Sequence, residues 1–287
     1  MTPVPRFFAD YQDRIDGELR RVVPDTGDRV QEAMVYTLHA ASKRIRPVLT
    51  LLAAEVCGGA APAALPAACA MEMVHASSLI LDDLPSMDDA AIRRGKAANH
   101  VVFGEAIAIL AAFGLLGAAF GTIARSYEPP LASRMTALLS DAVGAEGLIG
   151  GQAADLLATD RQITFEMLER IHRGKTGALF SAAASSGALT AGAPGGSVAA
   201  LQAFAKNLGL AFQIIDDLLD VEGDPAITGK AIREDAKKTT FVSFSGPAGA
   251  RQLAGELCQT ADRALLPFGR RAERLRELSA FVAARMS

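Results

Sequence analysis

Ser77-Ser78-Leu79-Ile80-Leu81-Asp82-Asp83-Leu84-Pro85-Ser86-Met87-Asp88-Asp89 is an apolar run that opens into four carboxylates. The apolar part reads as a buried helix with Asp82 and Asp83 at its outlet. Acidic residues at a helix C-terminus oppose the macrodipole, so charge placed there is costly unless a cation offsets it. Asp82 and Asp88 are six residues apart and would face different ways on a continuous helix. Pro85 disfavours regular helix at Leu84 and permits a bulge that turns Asp88 back.

Further along, Ala211-Phe212-Gln213-Ile214-Ile215-Asp216-Asp217-Leu218-Leu219-Asp220 repeats the theme. Asp216 and Asp220 are four apart and share one helix face, where like charges repel by roughly a few tenths of a kcal/mol without a counter-ion. Carboxylate oxygens with no Cys pair or metal-spaced His nearby favour Mg²⁺ over zinc, bound through one or two carboxylates plus substrate phosphates and water. Either run alone could be a solvated helix terminus. Both, however, follow apolar helices and begin with paired Asp, and Arg93, Arg94 and Lys96 follow the first as anionic ligands require.

Around these runs the sequence is helical, with Ala/Leu-rich stretches, apolar residues at three and four spacing, and breaks at Gly and Pro. The breaks fall at Gly58-Gly59 with Pro62, Glu128-Pro129-Pro130, Ala193-Pro194-Gly195-Gly196, Gly223-Asp224-Pro225 and Gly246-Pro247. Stretches near 66–81, 106–124 and 178–191 are apolar on most faces and predict an inner layer sealed from water. The expected fold is all-α: one large bundle of ten to twelve helices around a central active-site cavity, a single domain over 1–287.

With 287 residues, 50% hydrophobic and 21% charged, the chain can bury a large core. A net charge of -3 gives no basic field for nucleic acid or an anionic membrane, so phosphate binding must come from local clusters. Cys57, Cys69 and Cys258 form no CxxC pair, which argues against a disulfide framework and predicts a reducing, cytoplasmic setting. The first residues, interrupted by Arg6, Asp10, Asp13 and Arg14, lack a secretory apolar core. Ala106 to Ala124 runs nineteen residues without a charge, long enough to cross a bilayer, but it is mostly Ala and Gly and suits a closely packed buried helix better; no stable membrane insertion is expected.

Taken together these residues resemble the polyprenyl synthetase family over nearly the whole chain. Ser42-Lys43-Arg44-Ile45-Arg46-Pro47 is similar to its GKRLRP, Asp82 to Gly95 to its DDxPxMDD…RRG, Gly174-Lys175-Thr176 to its KT element, and Gln213 to Asp220 to its QxxDDxxD. Thr228-Gly229-Lys230 through Asp235-Ala236-Lys237-Lys238-Thr239-Thr240 is similar to its GK…D…K(S/T)T segment. Leu81 and the text GEAIAILAAFGLL look most like the geranylgeranyl diphosphate synthases of bacterial carotenoid pathways.

The resemblance implies Mg²⁺-dependent joining of isopentenyl diphosphate to allylic diphosphates by a homodimer, with three Mg²⁺ per substrate-bound site. It implies Asp82, Asp88, Asp216 and Asp220 as metal ligands, with Asp83, Asp217 and Lys175 completing the catalytic group. Arg93, Lys175, Thr176, Gln213, Lys230 and Lys238 would hold the allylic diphosphate, and Lys43, Arg46, His75 and Arg94 that of isopentenyl diphosphate. Ser77 and Ser78, one turn before Asp82, would leave room for a twenty-carbon product. Plainer readings stand beside these: Lys43, Arg44 and Arg46 as a solvated face, His75 as a core histidine, Lys175 as a helix-end partner, and the two serines as packing residues. The sequence departs from many relatives at Ser42, Leu81, Ala97-Ala98 and Phe113, and its Lys230 to Lys238 interval is two residues shorter. Alternatives are a farnesyl diphosphate synthase, a class I terpene cyclase, whose second motif would differ, and a non-catalytic subunit, which would have lost one acidic motif.

Overall fold

The computed structural model describes residues 6–222 and 239–284, so Lys230, Lys238 and the break at Gly223-Asp224-Pro225 lie outside the described residues. The described chain is built of helices: α1 (Arg6–Val22), α2 (Arg29–Leu38), α3 (Ile45–Val56), α4 (Ala61–Asp82), α5 (Asn99–Phe103), α6 (Glu105–Ser126), α7 (Pro129–Val143), α8 (Leu148–Ala158), α9 (Phe165–His172), α10 (Ala178–Thr190), α11 (Gly195–Glu222), α12 (Phe241–Ala264) and α13 (Glu273–Ala283). The sequence breaks fall where the helices do: Pro129 starts α7, Gly195 starts α11, and Gly246, at φ 66°, kinks α12 just before Pro247. The all-α expectation holds.

Helix α4 is the inner stave, with Ala64, Ala67, Ala68, Cys69, Ala70, Met71, Met73, Val74 and Ala76 buried. It packs against α3, α6 and α10, while α10 also contacts α3, α7 and α11, and α11 runs along α12. Small side chains on α4 and α10 allow these close crossings, and the larger Phe180, Phe204 and Phe241 fill the gaps between layers. The chain ends are fastened together: Tyr11 donates to Glu55 Oε2 at 2.6 Å, and Arg274 Nη1 donates to Tyr11 Oη at 2.6 Å and to Glu55 at 3.1 Å.

Helices α4, α6 and α11 are each long and apolar enough to cross a membrane by length and composition. In this bundle α4 and α6 lie against each other. A two-residue hairpin, β1 (Ile92–Arg93) and β2 (Lys96–Ala97), follows the first aspartate run and was not foreseen in the sequence. Its connecting residues Arg94 and Gly95 have φ of 53° and 74°, the pair of left-handed conformations that a tight type I′ hairpin loop needs.

Candidate active site

Helix α4 stops at Asp82, and the chain then doubles back. The Asp88 N–H donates to the Asp82 carbonyl at 2.9 Å and the Met87 N–H to the Leu84 carbonyl at 2.9 Å, so the residues around Pro85 form a compact turn rather than another helical turn. This is the return of Asp88 that the proline predicts. Burial pushes the Asp82 carboxyl up to about 6, with Lys175 opposing and the like charge of Asp88 adding to it. Asp83 is buried; burial raises its carboxyl against the pull of Arg93, whose Nε donates to Asp83 Oδ1 at 2.7 Å. The hairpin therefore lays Arg93 back on the motif that precedes it.

Lys175 arrives from a different direction. It sits in a π-helical turn, Arg173–Gly177, between α9 and α10. That turn lies against α8 main chain to main chain: a Cβ on Gly151 would come within 2.1 Å of the Lys175 nitrogen, and one on Gly174 within 2.9 Å of the Gly147 carbonyl oxygen. Lys175 Nζ reaches Asp155 Oδ2 of α8 at 2.7 Å. Next in the turn, Thr176 Oγ1 donates to Gln213 Oε1 at 3.0 Å and Gln213 Nε2 donates to Asp217 Oδ1 at 3.0 Å. Asp217 is buried, and its other oxygen accepts from the Phe241 N–H at 3.2 Å at the start of α12. Within α11, Asp217 thus ties helices together, whereas Asp216 and Asp220 remain partly exposed.

A third group gathers arginines. Arg46 Nη1 lies 3.3 Å from His75 Nε2. Burial lowers the Arg46 guanidinium to about 10, and burial with the neighbouring Arg46 and Arg94 charges holds His75 well below the usual histidine range, so the imidazole is neutral. Arg46 Nε and Arg94 Nη1 are buried donors with no hydrogen-bond partner. Glu72, buried in mid-helix on α4, is the anion they share: Arg44 Nη1 donates to its Oε1 at 2.5 Å, Arg94 Nη2 stands 3.7 Å away, and its charge acts on Arg46. Arg44 also donates to Asp16 and to the Leu38 carbonyl, which fixes the loop carrying Lys43; Lys43 itself is exposed.

Ser77 is buried and donates to the Ala112 carbonyl of α6 at 2.8 Å, while Ser78, one turn before Asp82, donates to the His75 carbonyl at 2.9 Å. Glu72 and Asp155 were not singled out in the sequence. The available signal was an isolated acid in an otherwise uncharged apolar helix, which costs free energy unless it is paired.

The donor chemistry fits Mg²⁺. Among the described residues no three His, Cys, Asp or Glu side chains converge, so there is no closed protein cage. The Asp82 carboxylate, disfavoured by burial and by the like charge of Asp88, matches an ion that takes one or two carboxylates and completes its shell with substrate phosphate and water.

An all-helical bundle in which Lys175 acts on Asp82 of one aspartate run and Asp216 of the other acts on Arg46 has the parts of an enzyme working on diphosphates. The family model described as polyprenyl synthetase matches residues 28–246. The farnesyl diphosphate synthase of Geobacillus stearothermophilus is 40% identical over 91% of both chains, and the geranylgeranyl diphosphate synthase of Cyanophora paradoxa is 40% identical over 96% of this chain and 94% of that one. The apo crystal structure of an FPP/GFPP synthase from Zymomonas mobilis superposes with a TM-score of 0.87 at 32% identity, covering 96% of this chain and 97% of the other. The chain belongs to the polyprenyl synthetase family. Its activity is that of a prenyltransferase elongating a prenyl chain.

Proposed function

We propose that the protein is a geranylgeranyl diphosphate synthase, condensing isopentenyl diphosphate head to tail with dimethylallyl, geranyl and farnesyl diphosphates to reach twenty carbons. The observation that carries the two-diphosphate reading is the pair of buried, unpartnered donors on Arg46 and Arg94. A buried donor left without a partner costs about 1–3 kcal/mol, a cost that an incoming diphosphate removes. A terpene cyclase, which takes one diphosphate, has no use for this second cluster.

In this reading Asp82 at the end of α4 with Asp88 in the turn after it, and Asp216 and Asp220 on α11, would hold Mg²⁺, which when bound neutralises charge on the allylic diphosphate. Lys175 and Arg93 stabilise the diphosphate as the allylic C–O bond ionises, exchanging their internal partners Asp155 and Asp83 for its oxygens. Thr176 and Gln213, already hydrogen-bonded to each other, line the same wall. Arg46, Arg94 and Lys43 hold isopentenyl diphosphate with its double bond toward the new cation, and neutral His75 orients Arg46. The final proton passes to the departing diphosphate, so no Ser, Cys or His base is required. The small side chains at Ser77 and Ser78 support the twenty-carbon limit.

The same reading makes the enzyme a cytoplasmic homodimer. On α6, Leu110 and Phe113 are 52% and 62% exposed, on a helix that carries no charge from 106 to 124 and whose opposite side is packed against α4. The small neighbours Ala106 and Gly117 on that face let an identical helix approach closely, so the occupant is a second copy of α6. The test is incubation of purified protein with Mg²⁺, labelled isopentenyl diphosphate and each allylic primer, followed by sizing of the products. Twenty carbons are expected as the main product; a fifteen-carbon product identifies a farnesyl diphosphate synthase instead.

A further inference from the structure

Arg46 has few partners to hold it. Its Nη1 meets His75 and its Nε meets nothing, yet its side chain must stay in one place to meet a diphosphate. The group that does hold it is a ring: the Arg46 guanidinium carbon lies 4.7 Å from the centroid of Phe180, within the range of a cation–π contact. Phe180, on α10, is fully buried and is itself clamped by α11. Its ring packs on Phe212 at 5.8 Å between centroids, and a Cβ on Gly209 would approach it to 3.1 Å, so Gly209 is the slot that the ring occupies.

We infer that Phe180 is a positioning residue for the second diphosphate: its face holds the Arg46 guanidinium at the height where isopentenyl diphosphate is received, and Gly209 fixes the height of the ring. This rests on the reading of Arg46 as a diphosphate-binding residue. Phe180 contacts no reacting atom and acts through Arg46. A cation–π contact of a strength between the solvent-exposed and fully desolvated limits corresponds to about a three- to tenfold change in affinity.

The test is calorimetric titration of the intact protein with isopentenyl diphosphate, alongside steady-state kinetics for both substrates. Phe180→Leu, which keeps an apolar filling but removes the π face, should weaken binding of isopentenyl diphosphate about three- to tenfold while KM for the allylic primer moves less than about twofold. Phe180→Tyr, which keeps the face, should restore most of the affinity. Gly209→Ala, which pushes the ring, should reproduce the selective loss, and it decides the question alone if the Phe180 variants fail to fold. An unchanged isopentenyl diphosphate affinity in folded Phe180→Leu or Gly209→Ala, or equal losses for both substrates, overturns the inference. Arg46→Ala separates the two levels. If it weakens isopentenyl diphosphate and the ring variants do not, only the role of Phe180 falls; if it changes nothing, the diphosphate reading of Arg46 falls with it.

Discussion

Glu72 Oε1 accepts from Arg44 Nη1 at 2.5 Å, with the side chains 1% and 2% exposed. A charge pair taken this far from water depends on both members, since removing Glu72 leaves the buried Arg44 with only the partly exposed Asp16 to offset its charge. Glu72→Ala is therefore expected to lower unfolding free energy by about 3–5 kcal/mol in urea titration. Arg44→Met should cost less on a Glu72→Met background than in the wild type. Additive losses would show that the two side chains act separately.

Asp82, at the end of α4, and Asp216, six residues before Glu222 in α11, lie on two helices that share α10 as a neighbour. Asp82→Ala and Asp216→Ala should each lower turnover by at least about two orders of magnitude, the usual scale when charge stabilisation of a leaving group is lost, with the helical circular dichroism unchanged. Near-normal rates in either folded variant at saturating Mg²⁺ would refute the two-motif arrangement.

The division of cations is open to a direct comparison. For Arg46→Ala and Arg94→Ala, KM for isopentenyl diphosphate should rise more than KM for the allylic primer, and Lys175→Ala should do the reverse. Parallel changes in both constants for all three variants would dissolve the distinction between the two diphosphate sites.

Product length should respond to bulk one turn before the first aspartate pair. Ser78 lies four residues before Asp82 and, at 1.5 Å per residue, about 6 Å further from the metals. Ser78→Tyr, or Ser77→Phe, is expected to shift the main product from twenty carbons to fifteen. Because Ser77 is bonded to the α6 backbone, an aromatic ring there must move α6 as well, so Ser78→Tyr is the cleaner variant. An unchanged twenty-carbon product from folded Ser78→Tyr would place the stop deeper, near Met73 or on a neighbouring helix.

Assembly is checked at the exposed α6 face. Phe113→Asp should convert a dimer to a monomer in sedimentation velocity, since a charge placed in an apolar contact must be desolvated without a partner. A species of unchanged mass would move the interface elsewhere.

Much of the architecture could be read from local rules. Pro129, Gly195 and Pro247 mark real breaks, the apolar runs near 66–81, 106–124 and 178–191 lie within α4, α6 and at α10, and Pro85 does turn Asp88 back toward Asp82. What escaped the sequence depends on contacts between distant segments. Nothing near Glu72 announces that Arg44 and Arg94, from two separate loops, will share it. The π-helical turn at Lys175 and its bond to Asp155 arise where α8 meets another element, and the hairpin at Arg94-Gly95 needs a non-glycine residue in a left-handed conformation that propensity alone argues against. Roles carried by resemblance acquired competing partners in space: Arg93 lies on Asp83 and Asp217 on the start of α12.

The contact of Gly151 with Gly174 has a consequence for how this scaffold can vary over evolutionary time. Most contacts in a helical bundle are made by side chains, and a lineage can drift by exchanging one apolar residue for another while the spacing adjusts. Here two main chains touch and no side chain intervenes, since even a methyl group on Gly151 would overlap the Lys175 nitrogen. The separation is therefore set by the van der Waals radii of the backbone, a quantity that no substitution can shorten. Changes at Gly151 can only open the crossing and carry Lys175 away from Asp82. The backbone from which Lys175 reaches out is thus held by the crossing itself, and a lineage keeps it where it is or loses it.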